Sequence, residues 1–531
     1  MKAVTESAGR HRKAKGREAM ESDLVAGHWV SKPTFRTAAI VVAVLSLGSV
    51  ISLGAARRST PAKRYEAGAG QSANTAPADA HALLVRTRDA MGFERTADKV
   101  VHVRISGATF QNYESDRTYP PFFSYFARVD TWFDPKSGTE RSESQTAFPG
   151  GEGPASTTFS STDETVMLAN GKVFPVPKRS MHMRNLAAWA VISDWAAAPD
   201  VKFSGREVYR DYLRAVLTRN TEDGEQRLFL DEKTGFPVKL ELTEPHYMWG
   251  QRRVEYVYSN WMLFEGGLVA PGSAFRLADG EAEVSETVTN VEAVDRGKAP
   301  DMAMPQSDVK PELLPAFLRP IEPKAIRVSE NTYVLSNPGY NEVVTLAGDD
   351  LYVFDATQGE ERARQDAELV RKLFPGEHRV YLVVTDLAWP HVAGVRYWVA
   401  SGATVIAHRA AEPFLRKVIE RRWTLAPDTL ERSRPSARFR FVGVDKAYAT
   451  ANGKVEVYPI DGIGSEVALM VYVPGEHFLW ASDYIQSVDA PTEYAAEVRD
   501  AVQRNHITPE NVAAEHLAIT PWSVVEGIES K

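Results

Sequence analysis

Between residues 82 and 294, apolar positions come in short runs separated by turn-formers. Residues 100–105 and 123–133 are apolar and aromatic with partial alternation. Residues 165–168 run into Asn170-Gly171, a strong hairpin signal. Residues 215–218, 226–230, 238–242 and 254–258 follow, divided by Asp223-Gly224 and Lys233-Thr234-Gly235. Strands at such intervals predict an antiparallel sheet or partial barrel. Two helical patterns accompany them, a short one over 81–91 and one over 183–197 carrying Leu186, Trp189, Ala190 and Ile192. The second is expected to lie across the concave face of the sheet.

After residue 326 the pattern changes to strands alternating with helices. Runs at 333–335, 343–346, 351–354, 380–384 and 403–407 read as strands, with helices over 360–374 and 413–420. Residues 421–436 form a charged insertion. Strands return at 439–442, 454–458, 468–473 and 478–481, before a helix over 492–504. Between the halves, residues 295–325 carry Pro300, Pro305, Pro311, Pro315, Pro320 and Pro323. Proline supplies no backbone donor, so this stretch reads as a connector.

The N-terminal 80 residues divide in three. Residues 1–34 are polar and patternless and read as a disordered tail, and 56–80 are rich in small residues and proline, a linker. Between them, residues 37–55 carry no charge. About 17–25 apolar residues suffice to cross a bilayer. Three readings fit: a retained signal anchor, a cleaved signal peptide with a long n-region, and a buried helix of a soluble domain. The first two place the bulk of the chain outside the cytoplasm, periplasmic or extracellular. The basic residues ahead of the segment favour a cytoplasmic N-terminus.

Composition then narrows the chemistry. The chain has no cysteine, which excludes disulfides, thiolate metal sites, cysteine nucleophiles and a lipoprotein anchor. A net charge of −8 argues against a nucleic-acid partner. Phosphate-binding loops, G-x-S-x-G elbows and H-E-x-x-H pairs are all missing.

The stretch 385–394, T-D-L-A-W-P-H-V-A-G, follows a buried-strand pattern, where α/β proteins place chemistry. It resembles the T-H-x-H-x-D-H-x-G-G metal motif of the metallo-β-lactamase superfamily. In register, the first histidine falls on Asp386, the second on Ala388, the aspartate on Pro390 and the last histidine on His391. Thr385, His391 and Gly394 fit. The resemblance extends over about 328–526, through the hairpin ending in Asp355, the strand ending in His408, and the late hairpin ending in Asp483. It implies an αββα sandwich and a metal cage. The family's later-loop histidine is absent from 461–466, so the first of the two family sites lacks its histidines. For the second, the resemblance implies His391, Asp483 and His516 as ligands of one zinc, iron or manganese ion. Asp386 is then a further ligand or the group that orients a water. Pro390 also removes an N–H and restricts Trp389.

Turn phrases in 82–294 resemble lipoprotein-carrier-like (LolA/LolB-like) periplasmic domains, which implies an apolar cavity. The plain alternative is a β-domain whose aromatics fill its own core.

The expected class is therefore α+β. A half-barrel-like antiparallel domain (82–294) precedes a metallo-β-lactamase-like domain (326–531), behind one transmembrane helix. Two functions are compatible with it. One is a membrane-tethered hydrolase with at most one metal. The other is an inactive fold that binds a small molecule or lipid, with no metal if the site is vestigial.

Overall fold

The structure, a computed structural model, describes residues 79–528 apart from 111–123, 149–150, 153–154, 170, 176–181, 222–223, 308–321, 338–339, 435–436, 463–464 and 489–493. The apolar segment 37–55 and the tail and linker around it lie outside the described residues. Among the described residues no helix is long and apolar enough to cross a membrane.

The N-terminal strands form one 14-stranded antiparallel sheet. Its chain path closes in the middle, where Lys99–Phe110 pairs with both Ser124–Phe133 and Glu281–Asp295. The ends of the path, Lys172–Pro175 and Lys202–Tyr209, are not partners, so the sheet is open. Helix Ala80–Met91 starts at Asp79, whose carboxylate accepts from His81 N at 3.0 Å, and stops at Gly92 in a left-handed conformation. It shares one hydrophobic core with helix Ala188–Ala197 and the sheet. Leu84, Met91, Trp189, Ile192 and Trp195 are buried there, and the rings of Phe93 and Trp189 stack at 4.3 Å. Both helices thus pack on the sheet, as expected for the one over 183–197. Each buried leucine- or isoleucine-sized side chain contributes roughly 1.5–3 kcal/mol.

The C-terminal half stacks a seven-stranded and a six-stranded sheet. Alternation within the strands shows how. In Asp350–Phe354, Leu351 and Val353 point to helices, whereas Tyr352 and Phe354 point to the second sheet. In Arg379–Val384, Leu382 and Val384 face the helices and Val383 the second sheet. Strands buried on both faces must be apolar at every position, hence the continuous apolar runs in the sequence. Helices Glu360–Leu373, Val395–Ala400 and Glu412–Glu420 cover the outside of the first sheet, Tyr494–Arg504 and Trp522–Glu526 that of the second. The short helix Trp522–Glu526 adds to the expected pattern, as does Thr429–Ser433 inside the charged insertion. The connector region ends in an unforeseen edge strand, Lys324–Arg327.

Candidate metal centre

Four loops meet where parallel strands end. Asp350–Phe354 and Arg379–Val384 run parallel and deliver Asp355 and Thr385-Asp386. In the second sheet, Phe478–Trp480 and Asn511–Ala513 are parallel and deliver Ser482-Asp483 and Glu515-His516. Backbone hydrogen bonds tie these loops together. Ala356 N donates to His391 O (3.0 Å), Leu469 N to Thr385 O (2.8 Å), and Glu515 N to Ser482 O (2.8 Å). Asn341 Nδ2 donates to the carbonyls of Ala514 (3.1 Å) and Leu517 (3.2 Å), which holds the Glu515 loop from below.

The short helix Trp389–Val392 carries His391, with a proline in its first turn, where a missing N–H costs nothing. Gly394 then lets the chain pass closely. A Cβ there would lie 2.9 Å from Ala363 Cβ and 3.2 Å from Ala356 O.

His391 is fully buried. Its Nδ1 lies 3.1 Å from Asp355 Oδ2. Asp355 also accepts from Thr385 N (2.7 Å) and Trp480 Nε1 (2.8 Å), and the Thr385 hydroxyl is 2.7 Å from Oδ2. Asp355 therefore fixes the imidazole and leaves Nε2 toward Glu515 and Asp483. That nitrogen is buried without a hydrogen-bond partner, 3.7 Å from Glu515 Oε2 and 3.9 Å from Asp483 Oδ1. One donor atom from each of His391, Asp483 and Glu515 lies within 4.8 Å of the others. Glu515 is buried, whereas the Asp483 side chain is 31% exposed and marks the open side.

Burial opposes charge on His391, but Asp355, Glu515 and Asp483 outweigh it and hold its pKa well above the ordinary value. For Asp386, burial pushes the pKa up to about 6, against the favourable charge of His391; Asp483 adds to the rise. Its Oδ1 accepts from Leu387 N (2.5 Å) and Ala388 N (3.1 Å). Behind the site, the fully buried Arg362 pairs with Asp366 at 2.8 Å and lies within Coulombic reach of Glu515.

Of the residues singled out in the sequence, the fold brings His391 and Asp483 together, with Asp386 in electrostatic contact with both. His516 sits beside them, its Nε2 3.6 Å from Glu515 Oε2 and its side chain 29% exposed, outside the three-residue group. Glu515 is the member that sequence reasoning passed over. Its signal was a carboxylate set among Val512, Ala513, Ala514 and Leu517, a setting that buries it.

The donor set suits a divalent ion. Three protein donors with one open side match a mononuclear site, and imidazole with two carboxylates accommodates zinc, iron or manganese. Donors about 2.0–2.2 Å from one ion lie at most about 4.4 Å apart, so these three residues would hold an ion after small shifts.

No protein-family model matches the chain, and no curated protein matches it. Among solved structures similar to it are DIM-1 metallo-beta-lactamase, at 15% identity over 39% of this chain and 94% of that one, TM-score 0.30, and a metallo beta lactamase from Erythrobacter litoralis, at 15% over 39% and 93%, TM-score 0.31. The metallo-beta-lactamase FIM-1 from Pseudomonas aeruginosa, in a mono-zinc form, matches at 12% over 39% and 92%, TM-score 0.30.

Proposed function

We propose that His391 Nε2, Asp483 and Glu515 hold a single divalent metal ion and that the chain is a metal-dependent hydrolase. The observation that carries this is the buried Nε2 of His391, without a hydrogen bond and aimed at two carboxylates while Asp355 secures the other ring nitrogen. A histidine so placed, with a carboxylate behind it, has the geometry of a metal ligand with its orienting partner. A bound ion would supply Lewis-acid polarisation and an acidified water. Asp386, buried beside His391 and Asp483, is placed to take up a proton and return it. Asp483 faces solvent and leaves the entry path for a substrate. The tether in 37–55, with an extracytoplasmic location, belongs to the same proposal.

A second reading, a non-catalytic binding protein, is favoured by one observation. Asp386 is already engaged by two backbone N–H groups and by Ser465, as a turn-capping carboxylate is. A panel of chromogenic esters, thioesters and amides separates the two. The hydrolase reading expects turnover that a chelator abolishes and zinc restores, and that Asp386→Asn lowers about 10²-fold or more without loss of bound zinc. Stoichiometric zinc with no turnover across the panel supports the binding reading.

A further inference from the structure

One turn of the N-terminal sheet reaches Trp389, two residues ahead of His391. It joins strands Pro237–His246 and Gly250–Leu263 and is held firmly in the other half of the molecule. Met248 and Trp249 are buried in the C-terminal helix-side core, the Trp249 ring 5.2 Å from that of Phe414. Arg421 donates to the carbonyls of Trp249 (2.7 Å) and Gln251 (2.5 Å) and pairs with Asp279 at 2.7 Å. At the start of the turn, His246 Nδ1 accepts from Met248 N and Trp249 N.

Tyr247 is the residue of this turn that stays at the surface, 43% exposed. Its ring meets Trp389 edge-on at 5.9 Å. Trp389 lies 5.4 Å from Tyr340, and Tyr340 5.3 Å from His516, the neighbour of Glu515. A line of rings thus runs from the N-terminal sheet to the rim of the three-ligand group.

We propose that this rim, with Tyr247 as its outer member, is a specificity surface that takes a flat apolar group of a substrate whose polar end reaches the centre. The proposal rests on the metal reading above. Stacked or edge-on aromatic contacts favour a ring over an alkyl group of similar reach by a few-fold. The anchored turn supplies the surface without a cost of ordering on binding.

The test uses two metal-chelating probes of similar reach on purified, zinc-loaded full-length protein: octanohydroxamate and 4-phenylbutanohydroxamate, read by calorimetry. Tyr247→Ala is expected to weaken 4-phenylbutanohydroxamate about three- to tenfold, to leave octanohydroxamate within about twofold, and Tyr247→Phe to restore the preference. Equal changes for both probes, or none, overturn the inference while the metal reading stands. A wild-type protein that takes up no zinc overturns the metal reading and this inference with it.

Discussion

Asp355 Oδ2 lies 3.1 Å from His391 Nδ1, and this contact determines which imidazole nitrogen faces Glu515 and Asp483. Asp355 is itself held by Thr385 N and Trp480 Nε1, so it cannot turn away. In Asp355→Asn the amide cannot accept from all of these donors and carries no charge. Zinc affinity should fall about 10- to 100-fold, as for other losses of an orienting partner. Competition with a chromophoric chelator measures it.

Glu515 and His516 are neighbours, yet only Glu515 is within the group of three. Glu515→Gln should weaken zinc binding at least as much as Asp355→Asn does. His516→Ala should cost less, because its ring lies toward solvent against Tyr340. The same competition assay ranks the two. A larger effect of His516→Ala would favour the two-histidine ligand set that the resemblance implies.

Far from the centre, burial raises the pKa of Glu140 to about 7 and of Glu286 to about 8; Arg184 opposes the first, and Glu140 adds to the second. Both are above the unfolded value near 4.5, so the folded state holds more protons between those limits. Stability contributed by these groups is therefore full below about pH 4.5 and declines as pH rises through 7 to 8. Glu286→Gln should remove part of this loss. Thermal melts of metal-free protein should show the variant gaining on the wild type from pH 5 to pH 9.

Gly250 has a φ of +64°, and a Cβ there would fall 2.0 Å from Trp423 Cδ1. Gly250→Ala should dislodge the turn that joins the two halves, with destabilisation on the order of 1–3 kcal/mol. A lower Tm, with a red shift of tryptophan emission, is the expected reading.

The sequence was most legible where burial is two-sided. The run 380–384 matches Arg379–Val384, and 360–374 matches Glu360–Leu373, because such elements must be apolar throughout or along one stripe. Strands Glu140–Phe148, Val269–Ala278 and Glu281–Asp295 escaped notice. The first and third are rich in Glu, Ser and Thr and take their place from neighbours rather than from an apolar pattern. At the site, motif register pointed to His391 and Asp483. It gave Asp355 only as the end of a strand, since its role is set by a histidine 36 positions away that folding brings to 3.1 Å. Glu515 was overlooked because the adjacent histidine is the more familiar ligand.

Mass spectrometric metal analysis tests the central claim most directly. Full-length protein is equilibrated with zinc, cleared of free ion, and compared with His391→Ala. One zinc per wild-type chain and almost none in the variant is the outcome this account requires. A wild-type protein that is folded and metal-free, or a His391→Ala variant that keeps its zinc, would contradict it.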